Sequence, residues 1–138
     1  MEAEIKMNKK FLEFLQKQTK QAAIDIAKEF GVVAVKHFRD GFRTGGGKTD
    51  KGKWQPRKNN SEPERAILVK TGSLSRSIKV KSFSTSKVVI GTDSSINYAD
   101  KLNFGTQYMP AREFLGKSEE LKRKMQRVAE RMLKEKIK

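Results

Sequence analysis

The stretch Ile78-Lys79-Val80-Lys81-Ser82-Phe83-Ser84-Thr85-Ser86-Lys87-Val88-Val89-Ile90-Gly91 decides the fold. Ile78 and Val80 alternate with Lys79 and Lys81, the period of two that sends successive side chains to opposite faces of a sheet. Val88 to Ile90 is a second, continuous apolar run. The polar link Ser84-Thr85-Ser86 is too short for the crossover that parallel strands need, so the two runs are antiparallel neighbours. Ile67 to Val69 reads as another strand, which makes an antiparallel sheet of about three to four strands.

On the N-terminal side, Phe11, Leu15, Ala22, Ile26, Phe30 and Val33 form one stripe at helical spacing, which predicts a long helix over Met7 to Phe38. Gly31, followed by Val32, Val33 and Val35, lowers helix propensity locally and predicts a kink or break there. On the C-terminal side, Tyr98, Ala99 and Leu102 ahead of Gly105 suit a short helical turn. Ser118 before Glu119 and Glu120 suits the start of a final helix, whose apolar positions are Leu121, Met125, Val128, Met132 and Leu133. The layout is an α+β domain: a long N-terminal helix, an antiparallel sheet, a short helical turn and a C-terminal helix, with helices on one sheet face.

Between the first helix and the sheet, residues 41–64 are rich in Gly, Lys, Asn and Pro and carry Trp54 as their one large apolar side chain. So little apolar area predicts a flexible basic loop that takes order on binding a neighbour. At 138 residues the chain fits one domain, 1–138. Its net charge of +15, from 31 Lys plus Arg against 16 Asp plus Glu, favours an anionic partner. There are no cysteines, so thiolate chemistry and disulfides are excluded. The charged start and the absence of any apolar run of 18 residues predict neither a secretion signal nor a membrane span, and so a soluble intracellular product.

The residue types and spacings present give no catalytic constellation, which predicts a non-enzyme. Gly45-Gly46-Gly47-Lys48-Thr49 looks like part of a phosphate-binding loop, but the required first glycine is missing, because position 42 is Phe42. His37 is the only histidine and reads as a helix-end residue, favoured by the dipole, rather than as a metal ligand or a catalytic base. Asp93, Asp100 and Glu113 do not have the spacing of a two-acid site. Arg39, Arg43, Lys48, Lys51, Lys53, Arg57 and Lys58 around Trp54 suit phosphates with one stacking aromatic, which makes non-specific nucleic-acid binding the alternative reading.

Four segments, in order, carry a resemblance. They are Trp54-Gln55-Pro56-Arg57; Leu68-Val69-Lys70-Thr71-Gly72-Ser73-Leu74-Ser75-Arg76-Ser77-Ile78; Val88-Val89-Ile90-Gly91-Thr92 with Tyr98-Ala99 and Asn103-Phe104-Gly105; and Pro110-Ala111-Arg112-Glu113-Phe114-Leu115-Gly116. Together they resemble the phage virion morphogenesis family of tail completion and head-tail joining proteins, over roughly half of the chain. The resemblance implies a structural phage or prophage protein without cofactor, assembled in the host bacterial cytoplasm and carried in the virion tail or neck as a ring of copies. Its implied partners are other tail or neck proteins, with no membrane and with possible DNA contact through the basic surface. On that reading Trp54, Arg57, Tyr108, Arg112 and Phe114 are candidate interface residues, and Gly72, Gly91, Gly105 and Pro110 are structural turns. Each segment also has a plainer physical reading, with Tyr98 and Phe114 as core, Phe114 and Leu115 seating the last helix, and Arg112 as a surface ion pair.

Overall fold

The strands lie as expected where the hairpin pattern is strongest. In the computed structural model, which describes residues 2–6, 20–56, 72–84, 87–93 and 95–137, β1 is Glu2–Lys6, β2 is Lys79–Phe83 and β3 is Lys87–Gly91. β3 is central, with β1 and β2 antiparallel on either side. Ala3 opposes Ile90 and Ile5 opposes Val88 across one pair, while Val80 opposes Ile90 and Phe83 opposes Val88 across the other. Lys81 is the extra residue of a bulge that shifts the β2 register.

The third described strand of this sheet is Glu2–Lys6; the strand expected at Ile67 to Val69 lies outside the described residues. Its Glu-Ala-Glu-Ile alternation is a strand signal, but at four residues it is the shortest that the pattern allows. Gly91 closes β3 in the ladder and has no positive φ, so it is not the turn expected of it, whereas Gly72 (φ 78°) and Gly105 (φ 77°) are turns.

The helices are α1 (Lys20–Thr44), α2 (Ser73–Ser77), α3 (Ala99–Phe104) and α4 (Glu119–Ile137). α1 buries Ala23, Ile26, Ala27, Phe30, Ala34, Phe38 and Phe42 on one helical face, in steps of three or four save for the adjacent pair Ile26 and Ala27, in one cluster with Val88 and Ile90 of the sheet and Leu121, Met125 and Ala129 of α4. Each fully buried Ile or Phe in that stripe contributes about 1.5–3 kcal/mol. Residues 7–19 of the expected helix lie outside the described residues.

Two expectations about α1 are corrected. The helix runs through Gly31 without a break, because glycine here serves a close approach: a Cβ at Gly31 would lie 2.7 Å from Cγ2 of Val80 on β2. It also ends at Thr44 rather than Phe38, since Phe42 continues the buried stripe by another turn. The end is a Schellman cap: Gly45 takes φ 73° and the Gly46 amide donates to the Gly41 carbonyl at 2.7 Å.

Replacing Gly31 by Leu forces helix and strand apart. Chemical denaturation of Gly31→Leu should show a loss of about 2 kcal/mol or more, the cost of overpacking, despite leucine's better helix propensity. An unchanged midpoint would contradict this packing.

Candidate interaction surface

The basic loop is built into the body over its first part. Gly47 donates to Gly52, Gly52 to Thr49 and Trp54 to Gly45, closing a tight hairpin directly after α1. Gly46 lies against the indole, where a Cβ would meet Trp54 Cδ1 at 2.7 Å. The hairpin docks on the start of α4. The Asp50 amide donates to the Lys117 carbonyl at 2.8 Å, and Asp50 Oδ1 accepts from the Glu119 amide at 2.9 Å. Ser118 Oγ accepts from Leu121 at 3.1 Å as the helix cap, and Asp50 supplies a second acceptor, so two first-turn donors of α4 are satisfied.

Trp54 is therefore core, 7% exposed, and not a free aromatic on a flexible loop. It meets Phe42 edge-on at 5.4 Å between centroids, and Phe42 meets Phe114 at 5.6 Å. Its indole N–H donates to the Glu113 carbonyl at 2.9 Å. Arg112 Nε and Nη2 donate to the carbonyls of Gln55 and Pro56 at 3.0 and 3.3 Å. The first and fourth motif segments thus bind each other through backbone carbonyls. Arg57 and the rest of the expected flexible loop lie outside the described residues.

The third segment supplies the clamp. Asn103, 1% exposed, accepts from the amides of Phe114 and Leu115 at 2.9 and 3.0 Å, and its Nδ2 donates to the Leu115 carbonyl at 3.1 Å. All three bonds are buried, where leaving such groups unpaired is expensive. Phe114 and Leu115 are each 1% exposed, which assigns them to the core under the last helix. Between Gly105 and Ala111 the chain folds back on itself. Thr106 and Met109 exchange amide-to-carbonyl bonds of 3.0 and 3.3 Å, and a Cβ at Gly105 would lie 2.6 Å from the Ala111 nitrogen. At the tip of this turn Tyr108 is 83% exposed, close in sequence to Phe104 at 66%. Pro110 follows the turn, well before α4 begins. Tyr98, at 42% exposed, is not core.

Of the candidate interface residues in the described chain, only Tyr108 offers a free aromatic surface; Trp54 and Phe114 are consumed inside, and Arg112 braces the loop. Asn103 is quoted within the third segment without a role of its own, although a polar residue on the inner face of a short helix is a signal for one.

His37 is also misplaced by the sequence reading. It lies inside α1, 1% exposed, where α1, the hairpin and α4 meet. One tautomer satisfies its contacts: Nε2–H donates to the Lys48 carbonyl at 2.7 Å, with Ser118 Oγ at 3.1 Å, and Nδ1 accepts from Lys124 Nζ at 3.0 Å. Burial lowers the His37 pKa, and the Lys124 and Lys48 ammonium groups lower it further. The Lys48 carbonyl and the Glu120 carboxylate oppose them without reversing the sign. Glu120 in turn is pushed up by its slight burial, but Lys48 at 3.7 Å and Lys124 at 3.4 Å outweigh that and hold its carboxyl below the usual range. Among the described residues no three His, Cys, Asp or Glu side chains gather as a metal site requires.

No protein-family model, curated protein or solved structure matches the chain.

Because the folded state holds His37 below its ordinary value of 6.5, the unfolded chain binds more protons just under that pH. The neutral imidazole's contribution is complete above 6.5 and is lost as pH falls from there through the folded value. Urea midpoints measured from about pH 7 to about pH 5 should fall in the native protein and fall less steeply in His37→Gln, which cannot titrate. Equal slopes would remove His37 from the account.

Proposed function

We propose that this chain is a structural protein of phage or prophage virion assembly, completing the tail or joining tail to head through protein-protein contacts as a ring of subunits. The observation that carries the reading is the use to which the resembling segments are put. Trp54-Gln55-Pro56, Asn103-Phe104-Gly105 and Pro110 to Gly116 lie apart in sequence, yet they bond to one another and hold up one projecting turn. A set of residues spent on bracing a surface loop, with Tyr108 at its tip, fits a docking protein better than an enzyme. Among the described residues no helix is long and apolar enough to cross a membrane. The proposed setting is the host bacterial cytoplasm during assembly and then the tail or neck of the particle.

The nucleic-acid reading loses its stacking residue, because the Trp54 ring is buried against Phe42. Several of its cations also have partners within the fold. Arg39 donates to the carbonyls of Arg76 and Ile78 at 3.1 and 2.6 Å, Lys53 to that of Thr44 at 2.8 Å, and Lys48 pairs with Glu120. Among the described residues, what remains for DNA is diffuse surface charge, whose signature is binding that collapses with salt.

Tyr108 separates docking from folding in a way that Arg112 does not, since removing Arg112 also frees the carbonyls of Gln55 and Pro56. Tyr108→Ala should leave unfolding within about 0.5 kcal/mol of the native protein, as exposed positions do. In cells producing particles, the same variant should lower the yield of joined, tailed particles by roughly tenfold or more, the loss expected for an interface anchor. Normal particle yield from a folded Tyr108→Ala chain would contradict the reading.

A further inference from the structure

The three-stranded sheet has two edges, and they differ in charge. Among the described residues β1 and β2 each pair only with β3, so each presents an outer row of backbone donors and acceptors there. Beside β1 runs a groove of about 670 Å³, walled by Ile5, Leu115, Leu121 and Met125. Glu2, Glu4, Asp50, Glu113 and Glu119 line the same groove against three lysines. Five of the protein's 16 acidic residues thus collect at one groove of a chain with net charge +15.

Beside β2 a second groove, of about 490 Å³, runs along α1. Its apolar lining includes Val32, Val35 and Val80, with Val32 62% exposed. Its charged groups are Lys36, Arg39 and Lys79 against the single acid Asp40. One edge is apolar with an acidic surround and the other apolar with a basic surround.

We infer that the two edges meet between copies of this chain, the β1 edge of one copy adding to the β2 edge of the next. β1 and β2 are each antiparallel to β3 and therefore parallel to each other. A neighbour in the same orientation continues the sheet with a parallel pair. Glu2 and Lys79 both oppose Gly91 in the register, so they stand on the same sheet face. Across the junction the neighbour's Glu2 and Glu4 then face Lys79 on that side, as opposite-charge cross-strand pairs. The pairs these residues make within one chain, Lys79 with Asp93 at 3.6 Å and Lys87 with Glu4 at 3.2 Å, are about half exposed and of the weak kind that exchanges partners readily.

The contact uses a different patch on each copy, so it is heterologous and propagates head to tail into a ring or filament. It also sets acid against base in a protein whose overall charge otherwise keeps copies apart. The inference gives the proposed assembly role its contact between copies and rests on that reading for its biological use, but it stands or falls on purified protein.

The test is a charge swap followed by sedimentation velocity at ~0.15 M salt, where exposed charges act over about 8 Å. Glu2→Lys with Glu4→Lys reverses one edge, and Lys79→Glu reverses the other; all three side chains are exposed, so both variants should fold. The native chain should associate with rising concentration, and each variant alone should remain monomeric. An equimolar mixture of the two should associate again, because each reversed edge then finds its complement. A native chain that stays monomeric throughout overturns the inference, as does a mixture that fails to associate. Variants that associate like the native chain overturn it too, placing the contact elsewhere while leaving the assembly reading to the particle-yield experiment with Tyr108→Ala.

Discussion

The amide side chain of Asn103 is the constraint on which the interaction surface depends. It is buried on the inner face of α3, and its oxygen takes both consecutive amides of Phe114 and Leu115. A single acceptor satisfying two adjacent donors fixes the backbone there, and losing it leaves two buried N–H groups unpaired at about 1–3 kcal/mol each. With residues 114–115 pinned, the carbonyl of Glu113 points to the Trp54 indole and the Arg112 guanidinium reaches the carbonyls of Gln55 and Pro56. The chain between Gly105 and Ala111 then forms the exposed turn that carries Tyr108.

A second junction ties this assembly to the helices. His37 in α1 holds the Lys48 carbonyl, contacts the Ser118 hydroxyl and accepts from Lys124, so one side chain bridges α1, the glycine-rich hairpin and α4. Asp50 reinforces the same meeting point by accepting from the first amide of α4. The hairpin that follows α1 is thereby held at both ends, by Trp54 within the core and by Asp50 at the helix start. Glycines at 45, 46, 47 and 52, all at positive φ, give a chain of such low apolar content its compact path.

The α+β architecture was legible because the signals for it are periodic. Alternation over Ile78 to Lys81, the run Val88 to Ile90 and the stripe through Ala22, Ile26, Phe30 and Val33 report burial directly, and the structure buries Ala22, Ile26, Phe30, Ile78 and Val88 to Ile90, with Val33 and Val80 partly buried. β1 was missed since four alternating residues beside a charged N-terminus give too little period. Trp54, His37 and Asn103 were misjudged or overlooked for a different reason. Their roles rest on partners 59, 81 and 12 residues away, at the Glu113 carbonyl, the Ser118 hydroxyl and the Leu115 carbonyl, and no local pattern encodes such pairs. Composition marked residues 41–64 as a loop able to bury little, yet one tryptophan and a caged aspartate are enough to dock its first part. Tyr108 was named with residues that turn out to be core, and only fractional exposure separates them.

Hydrogen exchange by NMR on the isolated protein bears most directly on the claim that the braced loops belong to the core. The Phe114 and Leu115 amides and the Trp54 indole N–H should exchange as slowly as the amides of α1, opening only with global unfolding. Exchange of those three protons at the rates of an unfolded chain, while α1 stays protected, would contradict the account.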